Sequence, residues 1–346
     1  MRKNEYSYPF SAIVGQDALK HALILSTIDP ALGGVLALGD RGTGKTTAIR
    51  GIADLLPKIK AVACQYQCDP TSNGAQCEIC AETNAEDQKV LSVPVPVVDL
   101  PLGVTEDRML GALDIERALV DGEKVFEPGL LAAANRGFLY IDEVNLLEDH
   151  LVDVLLDVAA SRWNVVEREG LSIRHPAAFV LIGSGNPEEG DLRPQLMDRF
   201  GLSVEVTTPN DIQQRVEVIK RRDAFESDPA QFEKRWKRQN SALRNKISKA
   251  QSMISKVCVS DQMLTLIAEI CMALGTDGLR GELTLIKASR ADAAWRGDGE
   301  VTAAHICDVA PMALSHRLRR DPLDEARGQV RVERVLNELF ESRNVA

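Results

Sequence analysis

Along the first two hundred residues, short apolar runs alternate with stretches of helical periodicity, a pattern that predicts an α/β sheet covered on both faces. The runs at 35–38, 96–100, 138–141, 179–183 and 203–206 read as strands. After Pro209 the strand signal stops, and the periodicity predicts helices over 211–225, 229–254, 261–274, 282–295 and 302–318. A last amphipathic stretch, 331–340, puts Val332, Val335, Leu336 and Leu339 at helical spacing, fit to dock on its own domain or on a neighbour. The expected organisation is an α/β domain over 1–208 followed by a helical region over 209–346. The polar stretch 69–88 reads as an inserted loop, and no internal repeat is apparent.

Composition narrows the classes. The 346 residues are 45% hydrophobic and 27% charged, the profile of a soluble globular protein. No apolar run approaches the roughly 18 residues of a membrane span. Only a short polar start precedes Tyr8-Pro9-Phe10, so no targeting segment is expected and the cytoplasm is the expected compartment. A formal charge of -10 argues against broad capture of nucleic acid, although a local basic channel stays open. Proteins and small molecules are the expected partners.

The chemistry begins where the first strand ends. Gly39-Asp40-Arg41-Gly42-Thr43-Gly44-Lys45-Thr46 follows an apolar run and precedes a helix-compatible stretch from Thr47, the strand–loop–helix context that a phosphate cradle requires. Glycines let successive N–H groups point inward, Lys45 brings positive charge to the β- and γ-phosphates, and the Thr46 hydroxyl can ligand Mg²⁺. About a hundred residues later the strand Phe138-Leu139-Tyr140-Ile141 delivers Asp142 and Glu143 at its carboxyl end. Asp142 is placed to hold Mg²⁺ and Glu143 to orient the water that attacks the γ-phosphate. A third strand ends in Asn186, a polar sensor candidate, and the segment Leu192-Arg193-Pro194-Gln195-Leu196-Met197-Asp198-Arg199-Phe200 carries an arginine-finger candidate, Arg199, with Arg193 as competitor. A surface arginine paired with Asp191 or Asp198 is the plain alternative for either.

This series resembles the AAA+ ATPases, and within them the magnesium chelatase I-subunit family, over nearly the whole chain. The closer resemblance rests on Pro9-Phe10-Ser11-Ala12-Ile13-Val14-Gly15-Gln16, Val98-Asp99-Leu100-Pro101-Leu102-Gly103-Val104-Thr105-Glu106-Asp107-Arg108, Gly111-Ala112-Leu113-Asp114-Ile115-Glu116, Gly185-Asn186-Pro187-Glu188-Glu189-Gly190-Asp191 and His316-Arg317-Leu318-Arg319-Arg320-Asp321-Pro322. It implies a P-loop NTPase domain with a parallel sheet flanked by helices and a C-terminal all-α lid. It also implies that Val14, Gly15 and Gln16 lie against adenine, that an insertion over 99–127 sits near a ring's central opening, and that 163–176 forms a hairpin before the sensor strand. The residues around Glu169-Gly170 do read as two short strands, though an ordinary surface hairpin reads the same way. Gly278-Leu279-Arg280-Gly281-Glu282 resembles the second sensor, with Arg280 directed at phosphate; a salt bridge to Glu282 or Asp277 is the alternative.

By the same resemblance the expected function is an ATP-hydrolysing ring motor, expected to be hexameric, that drives Mg²⁺ insertion into protoporphyrin IX. A D-type AAA+ subunit and a porphyrin-binding H-type subunit would be its partners. A chaperone-type ATPase remodelling or metallating another complex, and a nucleotide-gated scaffold, are the competing readings.

Four cysteines, Cys64, Cys68, Cys77 and Cys80, are spaced C-x3-C-x8-C-x2-C within the insert at 64–90. Structural Zn²⁺, thiol–disulfide regulation and unliganded thiols all remain open for them. Cys258, Cys271 and Cys307 read as core residues. The histidines read as packed or surface side chains, and the basic run from His316 to Arg320 either faces a partner or nucleotide or closes a helix C-terminus.

Overall fold

The computed structural model describes residues 6–344 except 41, 73–75, 85–86, 115–119, 121–124, 169–170, 187–191, 193 and 319–327. In chain order the first elements are α1 (Asp17–Ile28), β1 (Val35–Leu38), α2 (Lys45–Leu55), β2 (Ile59–Val62), α3 (Glu78–Glu82), β3 (Val90–Val93) and β4 (Val97–Leu100). Next come α4 (Glu106–Leu110), β5 (Gly111–Leu113), β6 (Phe126–Pro128), α5 (Leu130–Ala133), β7 (Phe138–Ile141), α6 (Asp149–Ser161), β8 (Trp163–Arg168) and β9 (Leu171–Pro176). They are followed by β10 (Val180–Gly185), α7 (Pro194–Arg199) and β11 (Leu202–Glu205). The helical remainder is α8 (Ile212–Ser227), α9 (Pro229–Met253), α10 (Asp261–Leu274), α11 (Arg280–Arg296), α12 (Ala303–Leu314) and α13 (Gly328–Asn344).

Two compact units result, one of Met1–Ala48 with Gly185–Ala346 and one of Ile49–Ser184. In the first, β1 and β11 pair in parallel with Val35 opposite Leu202. Leu19, Leu23, Leu25, Leu36 and Phe200 are fully buried there. In the second, β7 is flanked by β4 and β10, both parallel to it, with Phe138 opposite Val97 and Val180. All four residues of β7 are buried, which is why it reads as an uninterrupted apolar run. Each expected strand is therefore present, displaced by a residue or two at its ends.

Local signals set the helix boundaries. The Asp211 and Asp228 side chains accept hydrogen bonds from the Gln213 and Gln231 amides, capping α8 and α9, and Pro229 occupies the first turn of α9. Gly275 and Gly297, at φ 66° and 90°, close α10 and α11 in the left-handed region. The helix expected to run to 318 ends at Leu314, and a 3-10 turn follows over Ser315–Arg317. His316 and Arg317 there turn inward to bond the Phe200 carbonyl rather than continuing an exposed helix.

Two other expectations change. Cys258 is exposed and lies outside any helix, in an extended segment bridged to Glu300, so it is not a core residue; Cys271 is buried and Cys307 half-buried. The polar stretch that reads as an inserted loop contains α3, and the insert contributes Tyr66, Cys68, Cys77 and Cys80 to a small buried cluster with Val62 and Ala132. Val62 of β2 and Ala132 of α5 complete that cluster from outside the insert. The strands β8 and β9 do form an antiparallel pair, with Trp163 opposite Pro176 and Val165 opposite Arg174.

Candidate functional site

The cradle lies between the end of β1 and the start of α2. Gly39, Gly42 and Gly44 have φ of 144°, 77° and 84°, a backbone that side chains rarely adopt. At Gly39 the constraint is also steric: a Cβ would lie 2.0 Å from the Val206 carbonyl oxygen. Lys45 is buried at the first turn of α2 and donates to the carbonyls of Gly39 and Asp40, the latter at 3.0 Å. Thr46 and Thr47 follow on the same turn, and the Thr43 hydroxyl donates to the Asp40 carbonyl at 2.9 Å. Arg41 lies outside the described residues.

The adenine-side candidates meet this loop. Gly15 and Gln16 both have positive φ, and the Gln16 amide nitrogen donates to the Thr43 carbonyl. Val14 is half-buried beside them in sequence. A nest of main-chain N–H groups opening on a helix N-terminus, with a lysine at its base, has the donor set and field that a triphosphate requires. The residues present thus fit ATP.

Asp142 and Glu143 follow β7 directly, and two neighbours that the sequence does not single out fix them. The Tyr140 hydroxyl donates to Asp142 Oδ1 at 2.9 Å, and the Ser184 hydroxyl donates to the same oxygen at 2.5 Å. Ser184 is itself buried near the end of β10 and accepts the Glu143 amide at 3.3 Å. Glu143 adopts φ 54°, ψ 57°, which costs a non-glycine residue on the order of 1 kcal/mol and sets the direction of its carboxylate. A carboxylate with one oxygen saturated by hydroxyl donors suits a hard cation held through water, so this end of β7 fits the Mg²⁺ of MgATP. The cue in the sequence was Tyr140 two residues before Asp142, the same-face spacing of a strand.

The remaining nucleotide candidates belong to the first unit. Asn186 follows Gly185, whose carbonyl accepts the Gly39 amide at 3.0 Å, so the sensor candidate is one position from a direct bond to the cradle. Arg199 is the exposed last residue of α7, while Arg193 lies outside the described residues. Arg280 begins α11 and pairs with Asp198. Asp198 also binds Arg317, whose side chain is 3% exposed and reaches the Phe200 carbonyl at 2.8 Å and Thr284 at 3.3 Å. Burial pulls the Arg317 pKa down and the Asp198 carboxylate opposes it. Of the basic run, Arg317 is therefore internal; Arg319 and Arg320 lie outside the described residues.

The four cysteines of the insert converge. The sulfurs of Cys64, Cys68, Cys77 and Cys80 all lie within 4.8 Å of one another, and Cys68, Cys77 and Cys80 are buried. Hydrogen bonding from Cys68 holds Cys64 down at about 4, while that same pairing pushes Cys68 up and burial pushes Cys80 up to about 12.

Comparison with known proteins bears on the whole chain. The family profile "Magnesium chelatase, subunit ChlI" matches residues 114–192, and the AAA lid domain profile matches 264–339. The magnesium-chelatase 38 kDa subunit of Acidiphilium rubrum is 61% identical over 98% of this chain and 99% of its own length. A chain of the complex between subunits BchI and BchD of magnesium chelatase, built on a cryo-EM reconstruction, is 54% identical with a TM-score of 0.54, covering 95% of this chain and 100% of that one. A crystal structure from Cytophaga hutchinsonii, 17% identical, has a TM-score of 0.64 over 95% of this chain and 91% of that one, a likeness of fold alone. An intact phosphate cradle, a lid and near-full-length identity this high lead to one assignment: the chain belongs to the magnesium chelatase I-subunit family of AAA+ ATPases.

Proposed function

We propose that the chain is the ATP-hydrolysing motor of a magnesium chelatase, driving Mg²⁺ insertion into protoporphyrin IX for chlorophyll or bacteriochlorophyll synthesis. The observation that carries the reading is the cradle with Lys45 seated at its base, in a chain similar over nearly all its length to magnesium-chelatase subunits. The α/β domain over 1–208 would bind and hydrolyse MgATP, and the helical region over 209–346 would act as linker and lid. The site from Gly39 to Thr47 would bind the phosphates, with Val14, Gly15 and Gln16 toward the base. Thr46 and Asp142 would hold Mg²⁺, Glu143 would orient water, and Asn186 and Arg280 would sense phosphate. Arg199, exposed at the end of α7, would complete the site of the next subunit in a ring, expected to be hexameric.

One similar chain comes from a complex between BchI and BchD, which supports a D-type subunit as partner. An H-type subunit would hold the porphyrin. The cytoplasm is the proposed compartment, and among the described residues no helix is long and apolar enough to cross a membrane. ATP and Mg²⁺ are the family's cofactors, and the proposal adds a structural Zn²⁺ on Cys64, Cys68, Cys77 and Cys80.

Reconstitution tests this. The purified chain, mixed with D- and H-type subunits, protoporphyrin IX, Mg²⁺ and ATP, is expected to yield magnesium protoporphyrin, and the Glu143→Gln protein is expected not to. Steady ATP turnover without metallation in the complete mixture would favour a remodelling ATPase instead.

A further inference from the structure

The cysteine cluster touches a part of the protein with no evident stake in the insert. Tyr66 lies between Cys64 and Cys68, and its ring stacks on His175 of β9 at 4.5 Å between centroids and 14° between planes. His175 is completely buried. Its Nδ1 donates to the Pro176 carbonyl at 3.1 Å, which leaves Nε2 to accept the Asn164 amide of β8 at 3.0 Å. That same Asn164 nitrogen donates to the Leu110 carbonyl at 2.9 Å, at the end of α4. From the other side, Asn135 donates to the Tyr66 carbonyl at 2.7 Å and accepts the Ala178 amide at 2.9 Å. A chain of direct contacts therefore runs from the cysteines to both strands of the β8–β9 hairpin.

The cluster itself has the form of a metal knuckle. A tetrahedral zinc tetrathiolate with Zn–S bonds of about 2.3 Å has sulfurs about 3.8 Å apart. The observed limit of 4.8 Å is within a side-chain rotation of that figure. Two of the sulfurs already accept main-chain N–H groups, Cys64 from the Cys68 amide at 3.5 Å and Cys68 from the Cys77 amide at 3.2 Å. Such bonds favour thiolate over thiol and fix the loop around it. The loop is also drawn in by Arg136, which donates to the Lys60 carbonyl at 2.6 Å and pairs with Asp69 at 3.1 Å. Three of the thiols make up half of a six-residue buried cluster, and Cys64 packs against it; the four are a poor substitute for aliphatic side chains, but they are a complete donor set for a soft divalent cation.

We propose that Cys64, Cys68, Cys77 and Cys80 bind one Zn²⁺, and that the resulting knuckle holds the β8–β9 hairpin in place through Tyr66 and His175. The second part rests on the zinc reading of the four thiols. Zinc binding fixes the Cys64–Cys68 turn, the turn fixes the Tyr66 ring, and the ring supplies one face of the His175 pocket. The insert is then a support for the hairpin rather than a separate appendage.

The test uses the full chain, purified without a metal-affinity tag and kept reduced, in the absence of nucleotide. Elemental analysis is expected to find about one zinc per chain, and Co²⁺ exchanged into the site is expected to show tetrahedral thiolate charge-transfer bands. Removing zinc with a chelator is expected to raise amide exchange in β2, β3, β8 and β9 while leaving β11 and α10 unchanged. Tyr66→Leu, which leaves the four thiols intact, is expected to keep the zinc and still loosen β8 and β9. Zinc bound with hairpin exchange unmoved by either change overturns the coupling and leaves the metal site standing. Metal-free protein that takes up neither Zn²⁺ nor Co²⁺ with its thiols reduced, or that carries these cysteines as disulfides, overturns both parts. ATP turnover, measured separately, tests the motor reading, so the two failures are distinguishable.

Discussion

Arg317 binds Asp198 twice, through the side-chain carboxylate and through the main-chain carbonyl at 2.6 Å, immediately before the exposed Arg199. The next residue, Phe200, is fully buried with its carbonyl held by His316 and Arg317. The candidate finger is thus displayed between two anchored neighbours. Asp198→Ala strands a guanidinium that is 3% exposed and is expected to cost about 3 kcal/mol, read from the urea midpoint. Arg280→Ala, removing a side chain that is 54% exposed from the same carboxylate, is expected to cost under about 1 kcal/mol. Equal losses would mean that Asp198 is not organised around Arg317.

Arg199→Ala is expected to bind ATP normally and to hydrolyse it about 10³-fold more slowly, the worth of an arginine finger. Mixed with the Glu143→Gln protein it is expected to regain part of the activity, because each variant supplies what the other lacks. Persistent inactivity in verified mixed assemblies rules out action across subunits.

Glu143→Gln is expected to retain nucleotide affinity and lose at least about a hundredfold in turnover. Lys45→Ala is expected to weaken binding itself, since in the proposed role the ammonium would contact phosphate before and during the reaction. Ser184→Ala removes a hydroxyl that bonds Asp142 and accepts the Glu143 amide. It is expected to raise the Mg²⁺ concentration for half-maximal turnover several-fold. Tyr140→Phe, which takes one hydroxyl from the same carboxylate oxygen and leaves Ser184 in place, is expected to shift it less.

These contacts show which parts of the site are legible in a sequence. Gly39 to Thr46 and the end of β7 are local: one strand, one loop and one helix start encode them, and the residue types follow from phosphate and metal chemistry. Asp198 is different, because its partners Arg280 and Arg317 lie 82 and 119 positions away and both compete with acids closer in sequence. The core beneath the polar insert is hidden from the sequence for a related reason. It borrows Val62 from β2 and Ala132 from α5, so no window of the insert alone looks apolar. Cys258 was misplaced because its apolar neighbours continue a helical spacing that the extended bridge to Glu300 interrupts.

Acid is expected to destabilise the first unit through His316. Burial, and then the Arg317 charge, pull its pKa down to about 3, while the unfolded chain titrates near 6.5. Stability from this group is present in full above about pH 6.5 and is lost as pH falls toward 3, because the unfolded state binds the proton first. The slope is at most about 1.4 kcal/mol per pH unit. His316→Asn, which can still donate to the Phe200 carbonyl, is expected to flatten the fall in urea midpoint between pH 7 and 5.

The first glycine of the cradle abuts the carbonyl of Val206, one residue past β11, so closely that a methyl group there would overlap it. β11 in turn begins three residues after Arg199 and runs in register beside β1. The glycine proposed to cradle the triphosphate and the arginine proposed for a neighbour's site are then tied to two ends of one short segment. Were Arg199 to act across a subunit boundary as proposed, nucleotide occupancy at the cradle would bear on its position through the strand that joins Arg199 to Val206.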